Sequence, residues 1–171
     1  MSKKYYYIGS PDLLYFFQEL PQRQPVKCEQ DILNWIIKTQ QRLDEEKSIV
    51  ATFIIDVDEQ LWIADRHSEH VQCARGQPVL SAGEITFTLT SSSVEVSEVT
   101  NQSTGYCPES KSWEVVASAL SQANLSCPSD FTSKFVFSLC EVCSTTNIVK
   151  YDWFYCGVCN SYLPKEWNFH S

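Results

Sequence analysis

The sequence predicts an α+β fold, in which helices and an antiparallel sheet share residues 1–127 and a small cysteine-rich lobe follows over residues 128–171. Apolar residues at three- and four-residue steps predict helices, and alternating apolar residues predict paired strands. Two Cys-x-x-Cys pairs late in the chain indicate a separately stabilised lobe. With 171 residues, of which 43% are hydrophobic, the chain can form one domain of about 120–130 residues and a satellite.

The N-terminal residues predict two short elements and a turn. Tyr5–Ile8 reads as a short strand. Ser10–Asp12 is a typical helix start, because a capping hydroxyl precedes a proline, and the helix is expected to stop at Pro21. Its apolar residues are Leu13, Leu14, Phe16, Phe17 and Leu20. Gln22–Pro25 is predicted to be a turn.

A longer helix is predicted from Glu29 to Glu46, followed by a β-hairpin. The residues that repeat along one face of this helix are Ile32, Trp35, Ile36, Thr39 and Leu43. Ser48–Asp56 is rich in β-branched residues and predicts a strand. After a turn at residues 58–60, Leu61–Ile63 is expected to return as its partner.

A second strand pair and a third helix complete the predicted main domain. Gly83–Leu89 alternates as a strand, Ser91–Ser93 forms a turn, and Val94–Val99 is the partner strand. Alternation puts three valines near one face, namely Val94, Val96 and Val99, if the register slips or a bulge occurs at the end of the second strand. A helix over Ser112–Ala123 carries the apolar stripe Trp113, Val116, Ala117 and Leu120.

Composition disfavours several classes of protein. The net charge of −8 and the pI of about 4.8 argue against general binding to a phosphate backbone. No apolar run approaches the roughly 18 residues that a membrane span needs. The N-terminus also lacks the apolar stretch of a secretory signal. We therefore expect a cytoplasmic protein without a membrane partner.

Cys140, Cys143, Cys156 and Cys159 form two Cys-x-x-Cys pairs around a spacer of twelve residues. Each pair can aim two thiolates at one point, so the two pairs can complete a tetrahedral site of four sulfurs. Two disulfides are the alternative, but they do not suit a cytosolic chain. Residues 134–169 resemble a zinc ribbon, and the resemblance implies one structural Zn²⁺ held by these four cysteines.

The predicted zinc site is expected to be structural and not catalytic, because a closed site of four cysteines leaves no position for substrate. From residue 128 onward the sequence contains three lysines and four acidic residues, so it has no basic surface and nucleic acid is disfavoured as a partner. Five aromatic residues could stack on bases, but we expect them to dock the ribbon on the main domain. They are Tyr151, Trp153, Tyr155, Tyr162 and Trp167.

A polar cluster begins directly after the predicted hairpin, and it has three interpretations. In the first, Asp65, Arg66 and Glu69 form a surface ion-pair cluster while the histidines cap a loop. In the second, a cleft uses general acid–base groups; its candidates are His67, Glu69, Glu84, Asn101 and Tyr106. In the third, a second metal is bound by three ligands, namely His67, His70 and Cys73. A Cys107–His67 nucleophilic pair is a further hypothesis.

Residues 55–125 also carry a wider resemblance. The segments His67-Ser68, Gly76–Glu84 and Asn101–Pro108 resemble a module of uncharacterised bacterial proteins and, more weakly, a domain of plant calmodulin-binding proteins. The resemblance implies a shared fold with a polar site. The relatives carry Ser-Gly-His-Tyr where this chain has Ser103–Tyr106 without a histidine.

The order of helix, hairpin and His67-Ser68-Glu69 is similar to that of zinc nucleobase deaminases. No Pro-Cys-x-x-Cys follows at the distance which that family requires, so this activity is disfavoured.

We therefore predict a small cytosolic interaction or adaptor protein of a bacterial multi-component system, with a structural zinc site and another protein as its partner. An enzyme or small-ligand binder with a cleft around the His67 loop is the alternative, and a nucleic-acid-binding zinc ribbon is the third hypothesis. The sequence leaves open whether the protein is an enzyme.

Overall fold

The computed structural model describes residues 2–14 and 22–169 and shows the α+β class that the sequence predicts. Five strands form an antiparallel sheet in the order β1-β3-β2-β4-β5, and β6 pairs with β7 in a smaller sheet. The strands are β1 (Arg23–Pro25), β2 (Ser48–Ile55), β3 (Leu61–Asp65), β4 (Ser81–Leu89), β5 (Val94–Val99), β6 (Val136–Leu139) and β7 (Thr146–Val149). The helices are α1 (Glu29–Lys38), α2 (His70–Cys73) and α3 (Trp113–Gln122), with 3₁₀ turns at Pro11–Leu14 and Ser110–Ser112.

β2 lies at the centre of the large sheet, and both of its faces are covered. Phe53 packs in one apolar cluster with Trp35 of α1 and Leu120 of α3. The next residue, Ile54, packs in a second cluster with Tyr106. Because successive side chains of a strand point to opposite faces, the two clusters lie on opposite sides of the sheet. The near-continuous apolar run of β2 follows from this double burial.

Of the two predicted irregularities, slippage and a bulge, the structure has a bulge between β4 and β5. Phe87 pairs with Val96 while Thr86 pairs with Glu98, so Ser97 has no residue opposite it. The extra residue keeps Val99 on the buried face together with the two valines before it. The four predicted strands of the two strand pairs are thus confirmed.

The predicted helix from Glu29 to Glu46 is shorter in the structure and ends at Lys38. Gln40 adopts a left-handed conformation with φ of 54°, and the Gln41 amide donates to the carbonyl of Ile36 at 2.9 Å. This geometry is a typical helix end. Leu43 therefore reaches the core from a loop rather than from a helix face.

Other predicted boundaries in the N-terminal part also change. Residues 23–25 form the edge strand β1 and not a turn, and Pro25 suits an edge because it has no amide hydrogen to donate. Tyr5 makes a single bridge with Val79 instead of starting a strand. Of the predicted helix after Ser10, only the turn Pro11–Leu14 is described, while Phe16, Phe17, Leu20 and Pro21 lie outside the described residues.

The third predicted helix is confirmed, but its buried stripe is rotated. The buried residues of α3 are Val115, Val116, Ala119 and Leu120. Ala117 and Trp113 are only partly buried. The Trp113 ring instead stacks edge-on against Phe131, with ring centroids 5.1 Å apart.

The ribbon, residues 134–169, contacts the main domain through specific polar bonds. The Asn101 side-chain amide donates to the carbonyls of Pro108 and Phe135, both at 2.9 Å. Its oxygen accepts the Phe135 amide at 2.7 Å. The Trp167 indole donates to the Cys107 carbonyl at 2.7 Å. These bonds fix the start and the end of the ribbon on the main domain.

Candidate metal centre and the surface around it

The four predicted ligands lie together at one end of the ribbon. The sulfurs of Cys140, Cys143, Cys156 and Cys159 are all within 4.8 Å of one another. The sulfurs of Cys140 and Cys159 are 3.5 Å apart, as are those of Cys143 and Cys156. No other group of three or more histidine, cysteine or acidic side chains in residues 2–14 and 22–169 could hold a metal.

Each Cys-x-x-Cys pair forms the same backbone turn. In the first, the Cys140 amide donates to the Thr145 carbonyl at 2.9 Å, and the Ser144 amide donates to the Cys140 carbonyl at 2.9 Å. In the second, the Cys156 amide donates to Ser161 at 2.8 Å and the Asn160 amide donates to Cys156 at 3.0 Å.

The two turns also share one backbone conformation. Ser144 and Asn160 both adopt φ of 62°. The two turns are therefore equivalent and present their sulfurs to one centre.

A hydroxyl supports one sulfur in each turn, which the sequence analysis missed. The Thr145 hydroxyl is 3.2 Å from the Cys143 sulfur, and the Ser161 hydroxyl is 3.2 Å from the Cys159 sulfur. The signal is visible as Cys-x-x-Cys-x-Thr and Cys-x-x-Cys-x-Ser. A hydroxyl can donate to a thiolate and stabilise it as a ligand.

Asn147 supports the second turn from β7. Its amide nitrogen is 3.5 Å from the Cys156 sulfur, and its oxygen accepts the Gly157 amide at 3.0 Å. The backbone amides of Cys159 and Val158 lower the pKa of Cys156 to about 6, with a further contribution from Asn147. The turn thus favours a thiolate at Cys156 before any metal is considered.

The remaining sulfurs have different electrostatics. The Ser161 hydroxyl lowers the pKa of Cys159. The Cys143 amide favours a thiolate at Cys140, but burial and the neighbouring thiols outweigh it and raise the pKa of Cys140 to about 11. Four sulfurs this close become fully deprotonated only when a cation balances their charge.

The residues present fit a tetrahedral metal. A metal with metal–sulfur bonds of about 2.3 Å separates its four sulfurs by about 3.8 Å. The observed separations, from 3.5 Å to at most 4.8 Å, match this geometry. The four cysteines can therefore hold a metal ion.

The ribbon carries an exposed apolar surface beside the cysteines. Val142 and Val158, at the same position in each turn, are both 72% exposed. Trp153 is 66% exposed, Tyr155 41% and Tyr162 58%. Tyr151 is fully exposed in the turn that follows β7. The expectation that five aromatics dock the ribbon is therefore wrong for these four residues and holds for Trp167.

Three of these rings contact one another, and we call them the aromatic trio: Trp153, Tyr155 and Tyr162. The centroids of Trp153 and Tyr155 are 4.9 Å apart at an interplanar angle of 46°. Those of Tyr155 and Tyr162 are 5.7 Å apart at 89°. Phe154, between the first two, points inward and packs against the cysteine cluster. The alternation of a short extended segment thus places two rings outside and one inside.

The predicted cleft residues occupy different environments. The His67 side chain is 85% exposed and its Nδ1 lies 3.1 Å from Asp65. Glu69 is exposed at the start of α2. Glu84 lies opposite Thr52 on β2, and the Thr52 hydroxyl donates to the carbonyls of Arg66 and Ser68. These residues border the His67 loop.

Asn101 and Tyr106 are buried, and their side chains form hydrogen bonds with backbone groups. Asn101 makes the three bonds that hold the ribbon. The Tyr106 hydroxyl donates to the Gln77 carbonyl at 2.8 Å, and burial raises the pKa of Tyr106. Of the five cleft candidates, Tyr106 alone lines the groove of about 420 Å³ beside Trp167 and Phe169.

The residues proposed for a second metal site and for a nucleophilic pair do not lie together in the described structure. The His70 ring is partly buried, and its Nε2 donates to the Gly83 carbonyl at 2.9 Å. Cys73 and Cys107 are fully buried thiols, and burial raises the pKa of each to about 12. Cys107 contacts the Thr104 carbonyl and not His67. The structure therefore gives no nucleophilic pair and no second metal group in the described residues.

Comparison with known proteins adds no further constraint. No protein family matches the sequence, and neither the curated proteins nor the solved structures include a match. No helix in the described residues is long and apolar enough to cross a membrane.

Proposed function

We propose that the four cysteines bind one structural Zn²⁺ and that the ribbon so stabilised is a protein-binding module. The observation that carries this proposal is the pairing of a closed thiol cluster with exposed apolar side chains on the same small lobe. Zinc suits four thiolates in a tetrahedron, and a site with four protein ligands offers no position for a substrate.

The ribbon has too little apolar core to fold without help. Its clusters around the cysteines contain few buried residues, chiefly Cys140, Cys156 and Leu163. Metal binding to such sites contributes roughly 10–16 kcal/mol in small zinc peptides. Zinc would therefore stabilise the platform that presents the apolar surface.

The exposed side chains support a binding role. A rigid surface with adjacent tryptophan and tyrosine rings is the composition that protein interfaces favour. The predicted cleft supports an enzyme less well, because the polar atoms of Asn101 and Tyr106 already form hydrogen bonds with backbone carbonyls. We further propose that the protein serves as an adaptor in a bacterial multi-component system in the cytoplasm.

Elemental analysis tests the zinc site. We expect one zinc per chain in the wild type and in His67→Ala, and no stoichiometric zinc in Cys140→Ser or Cys156→Ser, which should be poorly soluble. Two zinc ions in the wild type and one in His67→Ala would contradict a single structural site. A wild-type protein that keeps its circular dichroism spectrum in a strong chelator would contradict the structural role.

A binding experiment tests the adaptor role. Proteins retained by the zinc-loaded chain should be identified by mass spectrometry, purified, and titrated against it by calorimetry. We expect binding to be lost when the aromatic trio is replaced by leucines and kept in Ile37→Ser, which alters a residue 74% exposed on α1. Equal binding by both variants would contradict the assignment of the ribbon as the docking surface.

A further inference from the structure

We propose that the aromatic trio binds a cationic side chain, arginine or lysine, of a partner protein. This inference rests on the proposed function and names the chemistry that the docking surface recognises. Its basis is the arrangement of the three rings, the charge around them and the absence of an internal cation over them in the described residues.

The three rings of the trio form one connected, exposed cluster. Tyr155 lies between the other two rings, tilted at 46° to Trp153 and nearly perpendicular to Tyr162. Tyr155 and Tyr162 are held together by a backbone bridge. All three rings are exposed, so together they present aromatic surface in several orientations, and the negative face of an aromatic ring attracts cations.

The chain's own cations occupy other rings. Lys3 lies 3.6 Å from the Trp167 centroid, Arg23 lies 3.8 Å from that of Trp62, and Lys165 lies 5.9 Å from that of Phe154. In the described residues no lysine or arginine lies over a member of the trio. The exposed rings of the trio are therefore available to a cation from outside.

Charge favours a basic partner over a nucleic acid. The chain carries a net charge of −8, and Asp152 is exposed directly beside Trp153. Lys134, one of three lysines in the ribbon, is paired with Asp130 at 2.6 Å. The other two, Lys150 and Lys165, are exposed, so a phosphate backbone would meet two cations here, whereas the net negative charge of the chain would attract an arginine-bearing segment over a long range.

The turn before the trio helps to expose it. Tyr151 and Asp152 both adopt left-handed conformations, with φ of 54° and 55°, and the Trp153 amide donates to the Lys150 carbonyl at 3.0 Å. Two consecutive left-handed residues give a tight hairpin turn. The chain leaves this turn with Trp153 and Tyr155 on the outer side.

The test titrates the zinc-loaded protein of 171 residues with the peptide (Arg-Gly)₃, measures binding by calorimetry in every variant, and follows the Trp153 indole resonance by NMR in the wild type. A matched peptide carries citrulline, which keeps the shape of arginine and removes its charge. We expect saturable shifts with the arginine peptide and at least about tenfold weaker binding of the citrulline peptide.

Variants separate the ring chemistry from general charge attraction, because none of them changes the net charge. Replacing all three rings by leucine should weaken binding of the arginine peptide about tenfold, while Trp153→Phe with Tyr155→Phe and Tyr162→Phe should weaken it less than about threefold. Ile37→Ser should bind like the wild type. Equal binding of both peptides, or by the leucine variant, would overturn the inference.

Two outcomes distinguish the inference from the proposed function. If the purified partner protein needs the trio but the arginine peptide does not bind, the adaptor role stands and the cationic ligand is wrong. If oligo(dT) binds the trio in a salt-dependent way and the arginine peptide does not, the surface binds single-stranded nucleic acid. The cationic ligand and the protein-binding role would then both be wrong.

Discussion

Gly83 shows at the residue scale how one position can depend on backbone that is distant in sequence. A Cβ built on Gly83 would lie 1.9 Å from the carbonyl oxygen of Thr100. The Thr100 amide donates to the Glu84 carbonyl at 2.9 Å, so the two segments are bonded at the point where they approach. A side chain at residue 83 would separate them.

Gly83→Ala is therefore expected to destabilise the protein by about 3 kcal/mol or to prevent folding, because backbone cannot yield as a flexible side chain can. Gly105→Ala is the matched control, since a Cβ at Gly105 meets no atom within 4 Å. Urea unfolding monitored by tryptophan fluorescence measures both. A Gly83→Ala protein as stable as Gly105→Ala would show that the segments can move apart.

His67 and His70 look alike in the sequence, but the structure separates them. The His67 side chain is 85% exposed, whereas the His70 ring is partly buried and donates to the Gly83 carbonyl. Burial lowers the pKa of His70 below its usual value. Sequence patterns could not reveal this difference, because burial of His70 depends on β4, which is distant in sequence.

Stability should therefore depend on pH through His70. The unfolded chain takes up a proton near pH 6.5 while the folded protein keeps His70 neutral, so the free energy of unfolding falls as pH drops from about 7 to 5. His70→Gln, which can still donate to the Gly83 carbonyl, should reduce this slope. Ile37→Ser, which changes an exposed residue on α1 and no titratable group, should keep the wild-type slope. Urea unfolding across this pH range, in excess zinc, measures the slopes, and equal slopes in all three proteins would contradict the assignment.

At the scale of elements, the sequence predicts strands better than helix ends. The alternation of β5 and its bulge follow from local valine spacing, and both are confirmed. The end of α1 could not be predicted from periodicity, because Leu43 continues the apolar repeat although the chain has left the helix at Gln40. Arg23–Pro25 pairs as a strand only because β3 offers it an edge.

The two Cys-x-x-Cys turns are the elements in which sequence and structure agree most closely. Cysteine spacing alone predicts the four sulfurs that cluster. The supporting hydroxyls of Thr145 and Ser161 repeat at the same offset and could have been predicted with them. The amide of Asn147 could not, because it reaches Cys156 across the small sheet.

Removing both hydroxyls tests their role. Thr145→Val with Ser161→Ala should weaken zinc binding about tenfold, because partners that orient metal ligands typically contribute at least that factor. Ser91→Ala, an exposed residue in the turn between β4 and β5, is the control. Competition with a chromogenic chelator gives the affinities. Unchanged affinity in the double variant would show that the hydroxyls only cap the turns.

On the scale of the whole molecule, Asn101 couples the main sheet to the ribbon. Its side chain is fully buried and joins Pro108 to Phe135 through three bonds. The sequence placed Asn101 in a polar site because it lies in a polar, turn-rich loop. The structure shows that its partners are backbone groups 7 and 34 residues away.

Asn101→Ala should destabilise the whole protein by about 2–4 kcal/mol, since it leaves buried backbone groups without partners. Asn34→Ala, on the exposed face of α1, should have little effect. Hydrogen exchange should show faster exchange in both β5 and β6 of Asn101→Ala. Loss of protection in β6 alone, with β5 unchanged, would show that the two parts unfold independently.

Lys3 brings the N-terminal segment into contact with residues near the other end of the described chain. Its ammonium lies over the Trp167 ring and pairs with Glu109 at 2.7 Å, while Tyr5 packs edge-on against the same tryptophan at 5.8 Å. Residues near the two ends of the described chain are therefore in direct contact. A short linker could join them in a circular permutant opened at the exposed turn Ser91–Ser93, with every strand of both sheets still in its place.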